Sequence, residues 1–247
     1  MSKLKKILKL SKKRVHDDDK VEIGRLINDD TPFAIREAYT KLSTSIMYLP
    51  SDERCKSIVI TSGMPGEGKS LLSANISISL SKLIGNGKIL IIDSDMRRSR
   101  INRLLVTDLE GNRGLSEYLA GIDNDPLVHK VKGYDNLFVL NAGAKSPNPS
   151  GLITSARLTE MFERFKKEYD YIIIDTPPVG AVTDALLYSS LVSGYILSLR
   201  ADYSNINLTK ETINSIKNVG GTVFGVVLNS FNPKFDKHNK FYAYSNY

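Results

Sequence analysis

The segment Gly63-Met64-Pro65-Gly66-Glu67-Gly68-Lys69-Ser70 constrains this chain more than any other, because it requires a strand before it and a helix after it. Ser57 to Thr61 reads as a buried strand, and Lys69 onward as a helix. Glycines in such a turn let successive backbone N–H groups point inward at phosphate oxygens, and the helix N-terminus adds a positive dipole. Lys69 would neutralise the β- and γ-phosphates, and the Ser70 hydroxyl would ligate Mg²⁺. Two further stretches, Ile89 to Arg97 and Ile172 to Pro178, run through apolar residues into Asp93, Asp95 and Asp175. Parallel strands deliver carboxylates in this way to the C-terminal edge of a sheet. The three stretches together predict one site for a nucleoside triphosphate with magnesium.

Length and composition agree with one soluble domain. At 247 residues, 41% hydrophobic and 25% charged, the chain can bury a sizeable core. No apolar run approaches the roughly 18–20 residues of a spanning helix, and the N-terminal segment lacks the apolar core of a secretory signal, so a cytoplasmic location is expected. The single cysteine, Cys55, excludes a disulfide scaffold within the chain, and the scattered His16, His129 and His238 offer no zinc site. The net charge of +7 is carried by a tail: residues 1–14 hold seven basic residues and no acidic one, leaving 27 of each sign elsewhere. That distribution is not a nucleic-acid-binding face. At helical spacing Leu4, Ile7, Leu8 and Leu10 fall opposite most of the lysines. Such a segment suits an anionic lipid surface or the juxtamembrane part of a partner, and equally a solubilising tail.

Residues 1–30 read as basic tail and linker, 31–231 as the P-loop domain, and 232–247 as a flexible tyrosine-rich tail. Thr31 is expected to cap a helix beginning at Pro32 and running towards Met47. Strands are predicted near 57–62, 88–93, 136–141, 169–175, 194–200 and 222–229. Helices are predicted near 69–84, 114–120, 150–168, 183–191 and 206–218. This alternation implies a predominantly parallel central sheet with helices on both faces.

The layout is that of a P-loop NTPase, and it resembles the deviant-Walker, MinD/ParA-like superfamily. Three absences separate it from familiar branches: Met64 stands where partition ATPases carry a second lysine, Cys-x-x-Cys is missing, and no Asn-Lys-x-Asp reads guanine. From about Ile35 onward the chain resembles the bacterial tyrosine kinases of capsule and exopolysaccharide synthesis, of the cytoplasmic CpsD/CapB type. The Pro65-containing loop matches their Walker A motif, residues 89–97 their Walker A′, and Ile172 to Pro177 their Walker B. Ser146 to Leu152 matches a further family segment, and Tyr242, Tyr244 and Tyr247 crowd the last six residues.

The resemblance implies ATP and Mg²⁺ as cofactors, nucleotide contacts from Gly63, Pro65, Gly66, Glu67, Gly68, Lys69, Ser70 and Leu71, and an adenine contact from Asn229. Ser70, Asp95 and Asp175 would hold the metal. Asp93 is the candidate for taking or orienting the tyrosine hydroxyl proton, with a third outer metal carboxylate as the alternative. Arg97 would stabilise charge on the transferred group, or form a structural ion pair. Tyr242, Tyr244 and Tyr247 would be the phosphoacceptors, reached in trans within an oligomer. A membrane-anchored activator of polysaccharide co-polymerase type and a cognate tyrosine phosphatase are the implied partners. One departure stands out: where family members carry Glu, two residues, Arg, two residues, Arg, Glu37 is followed by Thr40 and Ser43. Arginine's planar fork is not replaced by a hydroxyl, so a mostly monomeric isolated protein is expected. Two other readings stay open: a non-kinase ATPase switch at the membrane, and a nucleotide-binding regulatory subunit.

Overall fold

The computed structural model describes residues 24–50, 53–105 and 113–230. The basic segment 1–14, the linker residues Asp17 to Asp19 and the tyrosines 242, 244 and 247 lie outside these residues. Seven strands form one sheet: β1 (Lys56–Thr61), β2 (Ile89–Asp93), β3 (Val128–Lys130), β4 (Leu137–Leu140), β5 (Tyr171–Asp175), β6 (Gly194–Arg200) and β7 (Val223–Asn229). Their spatial order is β3-β4-β2-β5-β1-β6-β7. Every pairing is parallel except β3 with β4. The central strands β1, β2 and β5 are nearly continuous Ile, Leu and Val because both faces are covered.

The helices are α1 (Phe33–Met47), α2 (Lys69–Leu83), α3 (Ile101–Leu104), α4 (Leu115–Leu119), α5 (Pro149–Ile153), α6 (Ala156–Glu168) and α7 (Ile206–Asn218). On one face Leu72, Ile76 and Leu80 of α2 pack with Ile58, Ile60, Ile91 and Ile173 of the sheet, and Ile46 of α1 joins them. On the other face Leu158, Met161, Phe162 and Phe165 of α6 pack with Val59, Leu90, Ile92 and Ile172. Truncating a ring such as Phe162 to alanine in a core like this costs about 3–5 kcal/mol.

Helix α2 is unusual in burying serines. Ser73 and Ser77 turn their hydroxyls back onto the carbonyls of Lys69 (3.0 Å) and Ser73 (2.8 Å), which lets a polar face lie in a dry interior. Asn75 accepts from Ile27 N–H and donates to the Arg25 carbonyl and Tyr39 hydroxyl. One amide thereby fastens the entering chain and α1 onto α2.

Several expectations are corrected. Pro32 occupies the cap position of α1, with no side-chain cap, while Thr31 bonds with Asn28 instead. The single helix expected over 150–168 is two, because Ser155 adopts extended backbone (ψ 150°) and restarts the helix at Ala156. Residues 183–191 form only a short 3-10 turn, Asp184–Tyr188. Strand β3 and helix α3 were not foreseen; three or four residues carry too little periodicity to register.

Candidate active site

The three motif stretches converge at the C-terminal edge of β1, β2 and β5. The turn after β1 is built around Gly66 (φ 84°) and Gly68 (φ 85°), both in the left-handed region that side chains rarely adopt. A Cβ on Gly68 would also lie 3.1 Å from Asn229 Nδ2. Within the loop, Ser62 Oγ donates to the Met64 carbonyl (2.7 Å) and Met64 N–H to Glu67 Oε2 (2.8 Å). Glu67 was expected among the nucleotide contacts; its side chain turns inward and is 1% exposed. The Glu67 carbonyl accepts from Ser198 Oγ (2.6 Å) and Asn229 Nδ2 (3.2 Å), so the ends of β6 and β7 support the loop from below. Pro65 and Gly66 are exposed at its rim, and Gly63, Ser70 and Leu71 flank it.

Lys69 opens α2 and is mostly buried. Burial lowers the pKa of its ammonium, opposed by the negative charges of Asp175, Asp95 and Glu67. The helix and β5 are joined directly here: Ser73 Oγ touches both the Lys69 carbonyl (3.0 Å) and Asp175 Oδ1 (3.1 Å).

Asp93 and Asp175 are register partners at the ends of β2 and β5, and both are fully buried. Burial pushes both carboxyls above the usual carboxylate range; Asp175 adds to the rise at Asp93, while the Lys69 charge opposes it at Asp175. Their surroundings differ. Asp93 Oδ2 accepts from Ser99 Oγ (2.7 Å) and the Arg100 and Ile101 N–H groups (3.2 and 3.1 Å), and Oδ1 from Asp95 N–H (3.1 Å). Asp175 Oδ2 is buried with no hydrogen-bond partner. An orphaned carboxylate oxygen is costly in a dry site. Beside Lys69 and the loop serine, it fits the hard-oxygen demand of Mg²⁺. Asp95 is half-buried and bonds Arg98 N–H through Oδ1 (2.8 Å).

Arg97 lies on Asp184, with Nε to Oδ2 at 2.8 Å and Nη2 to Oδ1 at 3.2 Å. Ser150 Oγ donates to the same carboxylate at 2.6 Å. Burial raises the Asp184 pKa, but Arg97 and Ser150 outweigh it and hold the carboxyl below its ordinary value. The Ser-Pro-Asn-Pro-Ser segment thus has a structural role, in which Asn148 caps α5 and Ser150 reaches the Arg97–Asp184 pair. Asn229 also donates to Ser198 Oγ (2.7 Å). At the altered motif, Thr40 Oγ1 bonds the Arg36 carbonyl, and Ser43 is fully buried.

Reading the sequence did not single out Ser99, Asp184, Ser198, Tyr203 or Ser204. No local pattern marks them, because each meets the site through a partner distant in the chain, except Ser99, whose clue is its place six residues after Asp93.

A family model described as an AAA domain matches residues 55–223. The chain is 35% identical over 218 residues to CapB of Staphylococcus aureus, named as a candidate tyrosine-protein kinase, covering 88% of this chain and 93% of that one. It is 34% identical to the tyrosine-protein kinase CpsD of Streptococcus pneumoniae, covering 85% and 91%. The chimerical protein CapA2B2 superposes with a TM-score of 0.74 at 34% identity, over 83% of this chain and 89% of that one. The septum site-determining protein MinD of Pyrococcus horikoshii, complexed with Mg-ADP, gives a TM-score of 0.58 at 26% identity, over 70% of each chain. With the P-loop, its two aspartate-ended strands and these relatives in agreement, the chain belongs to the bacterial tyrosine-protein kinases of the CapB and CpsD type.

Proposed function

We propose that this kinase moves the γ-phosphoryl group of ATP onto tyrosine hydroxyls, first those of its own Tyr242, Tyr244 and Tyr247, and in trans. The observation that carries this reading is the orphaned Asp175 oxygen beside Lys69, at the edge where the phosphate loop and both aspartate-ended strands meet. Phosphoryl transfer asks a protein for positioning and charge neutralisation more than for covalent chemistry. The loop N–H groups and Lys69 hold the phosphates. Ser70, Asp95 and Asp175 hold magnesium, directly or through its waters. When bound, the metal supplies charge neutralisation at the β- and γ-oxygens.

Asp93, with its raised proton affinity, takes or orients the phenol proton, which has a solution pKa of about 10. Its engagement with Ser99, Arg100 and Ile101 fixes the direction in which it acts. Arg97 keeps two of its five N–H donors on Asp184, leaving others for charge on the transferred group. Asn229 spends its amino group on Glu67 and Ser198, so its carbonyl oxygen is the atom suited to an adenine amine.

The activator in this reading is a membrane-anchored protein of the polysaccharide co-polymerase class, and a tyrosine phosphatase reverses the reaction. Capsular or exopolysaccharide synthesis is the process regulated. Among the described residues no helix is long and apolar enough to cross a membrane. In this reading the partner and the basic segment 1–14 recruit the kinase to the membrane, and deleting that segment should reduce liposome binding. With Thr40 and Ser43 in place of arginines, the isolated protein is expected to scatter light as a monomer.

Incubation with γ-labelled ATP, Mg²⁺ and an activator peptide tests the reaction. Label on the C-terminal tyrosines, lost in Lys69→Met and in the triple Tyr→Phe variant, is the expected result. Phosphate release without protein labelling would instead identify an ATPase switch.

A further inference from the structure

The phosphate loop is gripped from outside by a turn that no motif marks. Between β6 and α7, residues Arg200 to Ser204 fold back tightly: Tyr203 and Ser204 N–H both donate to the Arg200 carbonyl, at 3.2 and 3.0 Å. Asp202 takes a left-handed conformation (φ 57°) to close the turn. Arg200 N–H donates to Ser204 Oγ (2.8 Å), and the Arg200 guanidinium lies 5.3 Å from the centre of the Tyr203 ring. Register pairing of Arg200 with Asn229 ties the turn's base to the sheet.

From this base two hydroxyls reach the loop. Tyr203 donates to the Pro65 carbonyl at 3.0 Å, and its hydroxyl oxygen is 3.5 Å from where a Gly66 side chain would begin. Ser204 donates to Glu67 Oε1. The other Glu67 carboxylate oxygen receives Met64 N–H. A buried carboxylate thus bridges the turn to the middle of the phosphate loop.

We infer that Ser204 and Tyr203 are positioning residues for nucleotide binding, which hold Glu67 and Pro65, and with them the phosphate loop, in the shape that receives the triphosphate. This deepens the kinase reading and rests on it for the identity of the ligand. The placement of the two residues separates this role from general support of the fold. Tyr203 is 45% exposed, and beyond its own turn its hydroxyl meets the Pro65 carbonyl and the space beside Gly66. Removing that hydroxyl leaves both core layers untouched. Ser204 carries more, because without it one oxygen of a buried, charged acceptor loses its donor, and hydrogen bonds to charged groups are the stronger kind.

The test uses the full chain as wild type, Ser204→Ala, Ser204→Thr and Tyr203→Phe. The dissociation constant for MgATP is measured by calorimetry without acceptor, and kcat and KM by tyrosine labelling. Expected are a rise of about tenfold in the Ser204→Ala dissociation constant and KM, recovery in Ser204→Thr, and a rise of about threefold in Tyr203→Phe. The kcat should stay close to wild type in all variants; the melting temperature should stay close to wild type in Tyr203→Phe and fall by a few degrees in Ser204→Ala. Unchanged MgATP affinity in both Ser204→Ala and Tyr203→Phe would overturn the inference, as would a Ser204→Ala effect confined to melting temperature. If affinity falls as expected while wild type labels no tyrosine, the positioning role stands and the kinase reading fails. Should Ser204→Ala fail to fold, Tyr203→Phe decides alone, since only an oxygen is removed.

Discussion

Asp93 and Asp175 sit side by side at the ends of adjacent strands, equally buried and both with raised proton affinity, yet the structure uses them oppositely. Asp93 is held by its own following loop: three donors meet Oδ2 and one meets Oδ1, which keeps accepting capacity for a substrate proton. It shapes residues 94–101 much as a capping residue shapes a helix start. Asp175 accepts from Ser73 on one oxygen and leaves the other bare. Two copies of the pattern "apolar strand ending in aspartate" therefore give one carboxylate oriented by its own loop and one with an oxygen left free for a metal. The motif specifies position; the neighbours specify the job.

The contrast can be broken most sharply by neutralising each aspartate without changing its shape. Asp175→Asn should lower kcat about 100-fold or more, on the scale of losing a dominant electrostatic group. In the metal-free protein it should raise the melting temperature by about 2–4 °C, because burial disfavours the Asp175 charge by more than Lys69 and the neighbouring serines favour it. Asp93→Asn should also impair activity but must lose stability, by about 1–3 kcal/mol, since an amide nitrogen would face donors. Thermal melts with and without Mg²⁺ check both. Two variants with the same sign of stability change would erase the distinction.

The pH dependence follows with a definite sign. Each folded-state carboxyl binds its proton more tightly than in the unfolded chain. The contribution of this pair to metal-free stability therefore falls as pH rises from the usual carboxylate range through the raised values. Stabilisation by MgATP should run the other way and shrink as pH drops through that same window, because a protonated Asp175 cannot ligate. Melting temperatures across mildly acidic to neutral pH would show the two slopes crossing. A smaller effect concerns Arg97. Arg97→Ala should reduce kcat about tenfold with KM for ATP nearly unchanged, and Asp184→Asn should reduce it less. Equal losses would make the pair a structural strut and nothing more.

Much of this arrangement is legible in the sequence. The central strands announce themselves as unbroken apolar runs, and the phosphate loop fixes a strand and a helix on either side of it. Asp93, Asp95 and Asp175 follow from the same logic. The rest is hidden for identifiable reasons. Strand β3 is a three-residue edge held by its partner β4, and the 3-10 turn at Asp184 follows from no helical periodicity. The support of Glu67 by Ser198, Ser204 and Asn229 spans 131 to 162 residues of sequence. Serines are also too common for their spacing to single them out. The two readings of Arg97 could not be separated without seeing Asp184, which lies 87 residues further on.

The position of Cys55 has a practical consequence. The chain's single thiol is 1% exposed among the core side chains beside β1, and burial pushes its pKa up to about 12. A maleimide added to the folded protein should therefore react only with molecules that have opened. Labelling kinetics become a native-condition clock for global opening, with no engineered probe. MgATP or any other ligand that closes the site should slow that clock in proportion to how tightly it binds.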